Sequence, residues 1–158
     1  MKYWIYIIAF FSTASYLNAQ QIRSIPYLEM EKTIKESKGL YVLNIWATWC
    51  KPCVSELPYF QKASEEFPEV HFLLASVDFS ARKDMVLPFL ETRNISIPSI
   101  HLSDSGDSEW IGLLDKDFSG AIPATAVFKD GQKVYFHEGE LTYEQLNTII
   151  IKYLKEKK

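Results

Sequence analysis

A continuous apolar segment that leads directly into a segment of helical periodicity restricts the fold more than any other feature of this sequence. Residues Leu40–Trp46 form a near-continuous apolar run, which is typical of a central strand buried on both faces. Apolar residues then recur with helical spacing from Val54 to Phe67. The pattern therefore predicts an α/β fold in which a buried strand passes through Ala47–Cys53 into a helix.

Length and composition fit one globular domain. The chain has 158 residues, of which 47% are hydrophobic, and a chain of this length buries a sizeable core without disulfide staples. Its six glycines and seven prolines do not form long tracts, which argues against disorder. The formal net charge of -3 provides no basic footprint for nucleic acid. We expect a monomer that binds no nucleic acid.

The first 19 residues have the pattern of a secretory signal peptide. Lys2 precedes the apolar run Tyr3–Phe11, and a more polar stretch, Ser12–Ala19, follows. Since the apolar run is about half of the ~20 residues that span a bilayer, a permanent N-terminal anchor is the weaker alternative. Cleavage after Ala19 leaves residues 20–158 as one exported domain, which we expect to be soluble in the periplasm.

The two cysteines of the chain, Cys50 and Cys53, are separated by only two residues. A structural disulfide normally closes a longer loop, because the stabilisation grows with loop length. The spacing favours reversible dithiol chemistry, or else half of a tetrahedral zinc site, which needs two further ligands. The histidines are widely scattered in the sequence, at His71, His101 and His137. We predict a redox-active disulfide that needs no metal and no other cofactor.

The place of the pair before the helix predicts a role for each cysteine. Cys50 is expected at the helix N-terminus, where unpaired backbone N–H groups and the helix dipole favour a thiolate. Lys51 adds a cation beside it. Because the thiolate is the attacking species, we predict that Cys50 is the nucleophile. Cys53, one turn inside the helix, is predicted to resolve the mixed disulfide.

The residues around the pair resemble a known family. Residues 46–53 read Trp-Ala-Thr-Trp-Cys-Lys-Pro-Cys, with Glu56 and Pro58 following, and they are similar to the active site of the exported thioredoxin-like proteins of the TlpA/ResA type. The resemblance extends from about Leu28 to Leu154. It implies a thioredoxin fold, in which a mixed central β-sheet is flanked by helices on both faces, and thiol-disulfide oxidoreductase activity.

The same resemblance implies roles for residues outside the cysteine pair. Pro123 matches the proline that thioredoxin-like folds hold in cis, which implies that the backbone of Ile122 can pair with an extended substrate segment; the alternative is a proline that starts a strand. Asn44 stands where thioredoxins carry a buried acid. The resemblance therefore implies that Glu56 tunes the thiols or transfers protons, the alternative being an exposed helix glutamate.

Aromatic and polar residues next to the pair are expected to have supporting parts. We expect Trp49 to shape the contact surface beside Cys50, whereas Trp46 belongs to the core. Thr48 and Lys51 are expected to face the solvent as modulators.

By resemblance, the protein reduces disulfides of exported proteins during processes such as cytochrome c maturation, with electrons from a membrane-embedded thiol donor. A disulfide-donating oxidant of the same fold is one alternative. A thiol peroxidase is disfavoured. The reactive cysteine of peroxiredoxins, which share the wider fold, lies in a Pro-x-x-x-Thr-x-x-Cys setting, whereas Ala47 stands three residues before Cys50 in this chain. A noncatalytic copper-binding module that pairs the cysteines with His101 or His137 is the third alternative.

The rest of the chain is predicted to supply strands and helices in alternation, with a hairpin near the end. The expected elements are a strand over Val70–Val77, a helix over Ser80–Arg93 that Pro88 bends or ends, a strand or extended segment over Ile95–Leu102, and a short helix at Trp110–Leu114. A hairpin of Ala124–Phe128 and Lys133–His137 around Asp130-Gly131, and a helix over Leu141–Leu154 capped by Thr142, complete the prediction.

Overall fold

The computed structural model describes residues 21–156, which form six strands and five α-helices. The strands are β1 (Arg23–Ile25), β2 (Leu40–Trp46), β3 (His71–Ser76), β4 (Ser99–Leu102), β5 (Ala124–Lys129) and β6 (Gln132–Glu138). The helices are α1 (Tyr27–Glu36), α2 (Lys51–Glu66), α3 (Val86–Glu91), α4 (Glu109–Leu114) and α5 (Tyr143–Lys155), with a 3-10 helix over Ser80–Met85 before α3. The predicted signal peptide and its cleavage after Ala19 lie outside the described residues.

All six strands belong to one mixed sheet. Their order is β1-β4-β3-β2-β5-β6. The pairs β1–β4, β4–β3 and β3–β2 are parallel, whereas β2–β5 and β5–β6 are antiparallel. The strand that precedes the cysteine pair, β2, therefore lies inside the sheet between a parallel and an antiparallel neighbour.

The sheet separates two apolar cores, which explains why β2 carries so little alternation. Val42 and Trp46 of β2 pack into the core formed with α2, α3 and α5, whereas Leu43 and Ile45 pack into the core formed with α1 and α4. All four side chains are at most 1% exposed. A strand covered on both faces needs apolar side chains on both sides, so the prediction of a central buried strand is confirmed.

The structure differs from the predicted elements in three places. The strand Arg23–Ile25 was not predicted, since three residues at a sheet edge are too few to show a period. Only Ser99–Leu102 of the expected segment Ile95–Leu102 is a strand. The predicted single helix Ser80–Arg93 is divided into the 3-10 helix Ser80–Met85 and α3; Pro88 does not end α3, because it lies in its first turn, where its missing N–H has no intrahelical partner to lose.

The C-terminal hairpin and helix form as predicted. Asp130 and Gly131 connect β5 and β6 with φ values of 49° and 78°, the left-handed conformations that a two-residue turn with matching twist requires. Thr142 caps α5, and its side chain and that of Gln145 exchange hydrogen bonds with each other's backbone N–H groups. In the part of the chain that the structure describes, no helix is long and apolar enough to cross a bilayer.

Candidate active site

The cysteine pair lies where β2 passes into α2. Cys50 is the N-cap residue of α2, and its Sγ accepts a hydrogen bond from the backbone N–H of Cys53 at 3.3 Å. The two sulfurs are joined in a disulfide with an S–S distance of 2.03 Å. Cys50 is 6% exposed and Cys53 is 0% exposed. Cys50 is therefore the more exposed of the two cysteines, and the order of attack stays a prediction.

The loop before β5 faces this sulfur. The carbonyl oxygen of Ile122 lies 3.6 Å from Cys50 Sγ, and the Ile122–Pro123 peptide bond is cis, as the resemblance implies. In the disulfide form the sulfur has no proton to donate, so the approach is a contact; after reduction the Cys50 thiol has this carbonyl as an acceptor. Ile122 is half-buried and Pro123 is buried. The part of Ile122 in substrate pairing stays a prediction.

Glu56 is a buried residue, so the alternative of an exposed helix glutamate is wrong. Its side chain is 0% exposed on the same helix as Cys53, one turn further along. The carboxylate accepts hydrogen bonds from Asn44 Nδ2 and from the backbone N–H of Leu141, each at 2.8 Å. Burial raises the pKa of Glu56 to about 7, with a smaller contribution from the charge of Glu140, although the two hydrogen bonds oppose the rise.

Asn44 connects this carboxylate to the sheet. Its Nδ2 also donates to Thr125 Oγ1 at 3.2 Å, on the neighbouring strand β5. Its Oδ1 is buried and has no hydrogen-bond partner among the described residues. Asn44, Glu56 and Thr125 thus form one buried polar cluster that connects the sheet with α2 and with Leu141, just before α5.

Asp78, which was not among the predicted site residues, fixes the segment that leads into the cysteines. Its carboxylate, in a side chain that is 0% exposed, accepts hydrogen bonds from the Thr48 N–H at 3.0 Å, the Thr48 hydroxyl at 2.5 Å and the Ser76 hydroxyl at 2.7 Å. Thr48 is consequently half-buried and paired, so its expected exposure to solvent is wrong. A polar residue directly after a buried parallel strand is the signal that could have found Asp78, because sites collect at such strand ends.

The aromatic residues around the cysteines divide as expected. Trp46 is buried in the core. Trp49 is 54% exposed and stacks on Phe79, whose ring centroid lies 6.4 Å away. Lys51 is exposed, as predicted. The accessible face of the cysteine pair therefore has an aromatic border on the Trp49 side.

The histidines are not gathered around the cysteines. Within residues 21–156 no group of three or more His, Cys, Asp or Glu side chains could hold a metal ion. His101 is buried, with Nε2 at 2.8 Å from the carbonyl oxygen of Asp78 and Nδ1 at 2.7 Å from Ser24 Oγ. Because a carbonyl only accepts, Nε2 carries a proton. His101 is therefore engaged through both ring nitrogens, which removes one of the two ligands that the copper-binding alternative named.

Comparison with known proteins decides the family. The AhpC/TSA family matches residues 27–137, which is more than half of the chain. The chain belongs to the AhpC/TSA family. The thioredoxin-like protein YneN of Bacillus subtilis is 37% identical to this AhpC/TSA-family protein over 127 residues, covering 78% of this chain and 71% of YneN.

Other relatives carry a name that refers to activity. The thiol-disulfide oxidoreductase ResA of Bacillus thuringiensis subsp. konkukian is 32% identical over 127 residues, covering 78% of this chain and 66% of ResA. The crystal structure of StoA from Bacillus subtilis superimposes with a TM-score of 0.56 at 25% identity, covering 71% of this chain and 83% of StoA. The chain thus spans about two thirds of the length of this ResA protein. The resemblance to ResA-type proteins of the thioredoxin fold is confirmed.

This AhpC/TSA-family protein lacks the threonine of the thiol peroxidase motif. Ala47, three residues before Cys50, is fully buried and has no hydroxyl group. The position therefore lacks the threonine hydroxyl that the thiol peroxidase motif requires. The described site contains a slightly exposed cysteine at a helix N-terminus, a second, fully buried cysteine, and a buried carboxyl whose pKa is raised to about 7 by burial.

Proposed function

We propose that this protein is a thiol-disulfide oxidoreductase that reduces disulfides of exported proteins. The observation that carries the proposal is the position of Cys50, whose Sγ caps α2 and accepts the Cys53 N–H at 3.3 Å. A hydrogen-bond donor and the positive end of a helix dipole both favour the anionic form of a sulfur. The names of the ResA relatives support the same reaction class.

The reaction begins with the reduced dithiol. The Cys50 thiolate attacks one sulfur of a client disulfide, the client S–S bond breaks, and a bond forms between Cys50 and that client sulfur. The other client sulfur leaves as a thiolate and takes a proton. Cys53 then loses its proton and attacks Cys50 Sγ, which releases the second client thiol and forms the Cys50–Cys53 disulfide. Two electrons pass from the dithiol to the client disulfide.

Glu56 is suited to exchange the proton of Cys53 in the second step. Both side chains are fully buried and stand one helical turn apart. A carboxyl whose burial raises its pKa to about 7 is present in both protonation states at neutral pH, as proton transfer requires. In thioredoxins, a buried acid at the strand position of Asn44 assists this proton transfer; in this protein Glu56 takes over that task.

The client and the electron donor are assigned by chemistry. We take the client segment to lie in extended form beside the backbone of Ile122, whose carbonyl oxygen is 3.6 Å from Cys50 Sγ. Each turnover oxidises the pair, so a second dithiol must reduce it, and a membrane-embedded thiol donor can deliver electrons to an exported protein. A role in cytochrome c maturation, with its thiol-bearing apoprotein as client, is the specific form of this proposal.

The reduction potential of the Cys50–Cys53 pair tests the proposal. The domain from residue 20 is equilibrated with glutathione redox buffers while Trp fluorescence is followed, since Trp49 adjoins Cys50. A potential near or below about -250 mV supports a reductase, and a potential near -150 mV indicates a disulfide donor. The absence of any reversible transition would remove the oxidoreductase function altogether.

Export is tested separately in cells that express the full chain. We expect the protein in the periplasmic fraction, with a mass that corresponds to cleavage after Ala19. A protein of full mass in the membrane fraction would favour the anchored alternative.

A further inference from the structure

Three large apolar side chains are exposed around the entrance to the cysteine pair. Trp49, Phe79 and Met85 are 54%, 71% and 61% exposed. The rings of Trp49 and Phe79 stack at an interplanar angle of 24°. Exposed apolar patches on a folded domain mark interaction sites more often than chance. We refer to these three side chains as the Trp49 surface.

A shallow groove extends this surface along α3. It has a volume of about 340 Å³ and is lined by Thr48, Asp84, Met85, Pro88, Phe89 and Thr92. The ring of Phe89 packs on buried Trp46 at a centroid distance of 5.8 Å, which gives the groove a firm wall. Thr48 stands only two residues before Cys50, so the groove begins beside the segment that leads into the proposed reaction site.

The Trp49 surface is held in place from below. The carboxylate of Asp78 accepts two hydrogen bonds from Thr48. Phe79 follows Asp78 in the chain, and Trp49 follows Thr48. The stacked pair is therefore anchored at both of its backbone segments by one buried carboxylate. A surface that is already ordered loses less conformational entropy when a ligand binds.

The charged residues that adjoin this surface in the chain are mainly basic, although the whole chain has a formal charge of -3. Lys51 follows the active-site Trp49-Cys50 sequence, and Arg82 and Lys83 belong to the 3-10 helix that starts after Phe79. Within residues 21–156, none of these three forms a salt bridge. The one carboxylate that lines the groove is that of Asp84. The local balance thus favours a ligand with negative charge.

We infer that the Trp49 surface and its groove bind an extended segment of a client polypeptide that carries a large apolar residue and a carboxylate next to its disulfide-bonded cysteine. The apolar side chain occupies the groove between Met85 and Phe89, and the carboxylate lies near Lys51 and Arg82. The inference rests on the proposed function, because it names the class of client that the dithiol reduces.

Peptide selectivity tests this inference. The protein is first reduced with dithiothreitol and freed of reagent. It is then mixed with short peptides whose single cysteine is disulfide-bonded to 5-thio-2-nitrobenzoate, and the released thiolate is followed by absorbance. The peptides differ only in the residues that flank the cysteine, which are Leu and Glu, Ser and Glu, or Leu and Lys. The second-order rate constants are compared as ratios, so that changes in intrinsic thiol reactivity cancel.

We expect the wild-type protein to prefer the Leu peptide over the Ser peptide by about tenfold, the usual contribution of one apolar side chain in a pocket. Phe79→Ser and Met85→Ser should each bring this ratio towards one. Leu113→Ser should leave it unchanged, because Leu113 is similarly exposed, at 53%, but lies on α4 at the opposite face of the sheet. Loss of selectivity in Leu113→Ser as well would overturn the inference.

The charge preference is tested in the same way. The wild-type protein should favour Glu over Lys beside the cysteine, and 1 M NaCl should reduce this preference, because salt screens exposed charges. Arg82→Glu should reverse the preference, whereas Lys38→Glu, which changes an exposed lysine before β2, should retain it. Equal rates with both peptides in the wild-type protein would contradict the assigned client chemistry.

The outcomes separate this inference from the proposed function. If the reduced protein reacts neither with the peptides nor with glutathione disulfide, the proposed oxidoreductase function fails. If it reacts with all peptides at the same rate, the function stands and the docking inference is overturned. A dimer in sedimentation that Phe79→Ser converts to a monomer would show that the surface binds a second copy, which also overturns the inference.

Discussion

The Nδ2 of Asn44 donates a hydrogen bond to Oε1 of Glu56 at 2.8 Å in the interior of the domain. The carboxylate has a second donor, the Leu141 N–H, and no salt bridge to a described residue. Two neutral donors only partly replace the hydration that an ionised carboxylate loses on burial. The interior therefore favours the protonated form of Glu56.

Replacing Glu56 with glutamine should remove a pH dependence of stability. The folded-state pKa of Glu56 is raised to about 7 from 4.5, so between these values the native state holds a proton that the unfolded state has released. Stability contributed by this group is complete below pH 4.5 and is lost as the pH rises through 7. The loss amounts to roughly 3 kcal/mol between pH 4.5 and pH 8.

Urea unfolding of the oxidised protein at pH 5 and pH 8 measures this loss. Between these two pH values Glu56→Gln should be less sensitive to pH than the wild-type protein by about 2.5 kcal/mol. The control is Glu69→Gln, which changes an exposed glutamate and should keep the wild-type dependence. A Glu56→Gln protein with the full wild-type dependence would show that the carboxyl is not the titrating group.

Replacing Asn44 with aspartate should destabilise the protein more at high pH than at low pH. The new carboxylate would lie within hydrogen-bond distance of Glu56, where two adjacent buried carboxylates cannot both ionise. At pH 8 we expect a loss of about 3–5 kcal/mol in unfolding free energy, and a smaller loss at pH 5, where the pair shares a proton. Asn94→Asp, at an exposed position, is the matched control. Equal losses at both pH values would argue against a coupled pair.

Replacing Asp78 with asparagine should weaken the segment that precedes Cys50. One amide oxygen cannot accept the three hydrogen bonds that the carboxylate receives from Thr48 and Ser76. The expected loss is about 2–4 kcal/mol in unfolding free energy. Faster local motion of the Trp49 side chain should accompany it, measured by time-resolved fluorescence anisotropy in a protein whose other tryptophans are phenylalanine.

Two further variants locate the effect of Asp78. Thr48→Val removes the hydroxyl bond and keeps the backbone bond, so it should produce an intermediate loss. Asp107→Asn changes an exposed carboxylate and should have no measurable effect. Unchanged stability and unchanged Trp49 motion in Asp78→Asn would disprove its positioning part.

The two cysteines should behave differently when each is left alone. In Cys53→Ser, the remaining Cys50 is the more exposed position, at 6% compared with 0% for Cys53. Glutathione disulfide should therefore convert Cys53→Ser to a stable mixed disulfide that mass spectrometry detects. Cys50→Ser should react at least tenfold more slowly, because access and thiolate character both set the exchange rate. Comparable rates in the two variants would contradict the assigned order of attack.

Alanine at Gly131 should destabilise the hairpin. An added Cβ would lie 2.0 Å from the Lys35 carbonyl oxygen, and the backbone φ of +78° is unfavourable for other residues. We expect a loss of about 2–4 kcal/mol in unfolding free energy, measured with urea. Gly112→Ala is the control, since nothing lies within 4 Å of its added Cβ inside α4; it should stabilise the protein by about 0.5–1 kcal/mol.

Residues whose structure depends on their chain neighbours were predictable. The buried strand Leu40–Trp46 follows from its apolar run, and the place of Cys50 at a helix N-terminus follows from the periodicity after it. The turn at Asp130-Gly131 and the cap at Thr142 carry residue types that are favoured for local reasons. The edge strand Arg23–Ile25 was missed because its pairing with β4 comes from tertiary contacts and leaves no periodicity in three residues.

The sequence by itself determined the α/β order, the buried strand before the cysteines and the helix that Cys50 caps, because hydrophobic period and turn chemistry act over a few residues. Only the tertiary structure decided that Glu56 is buried, that Asp78 holds Thr48 across 30 residues, and that Ile122 meets Cys50 across 72 residues. A helix glutamate reads the same in sequence whether it faces solvent or the core. Its chemistry is set by the segments that pack over it, and those come from distant parts of the chain.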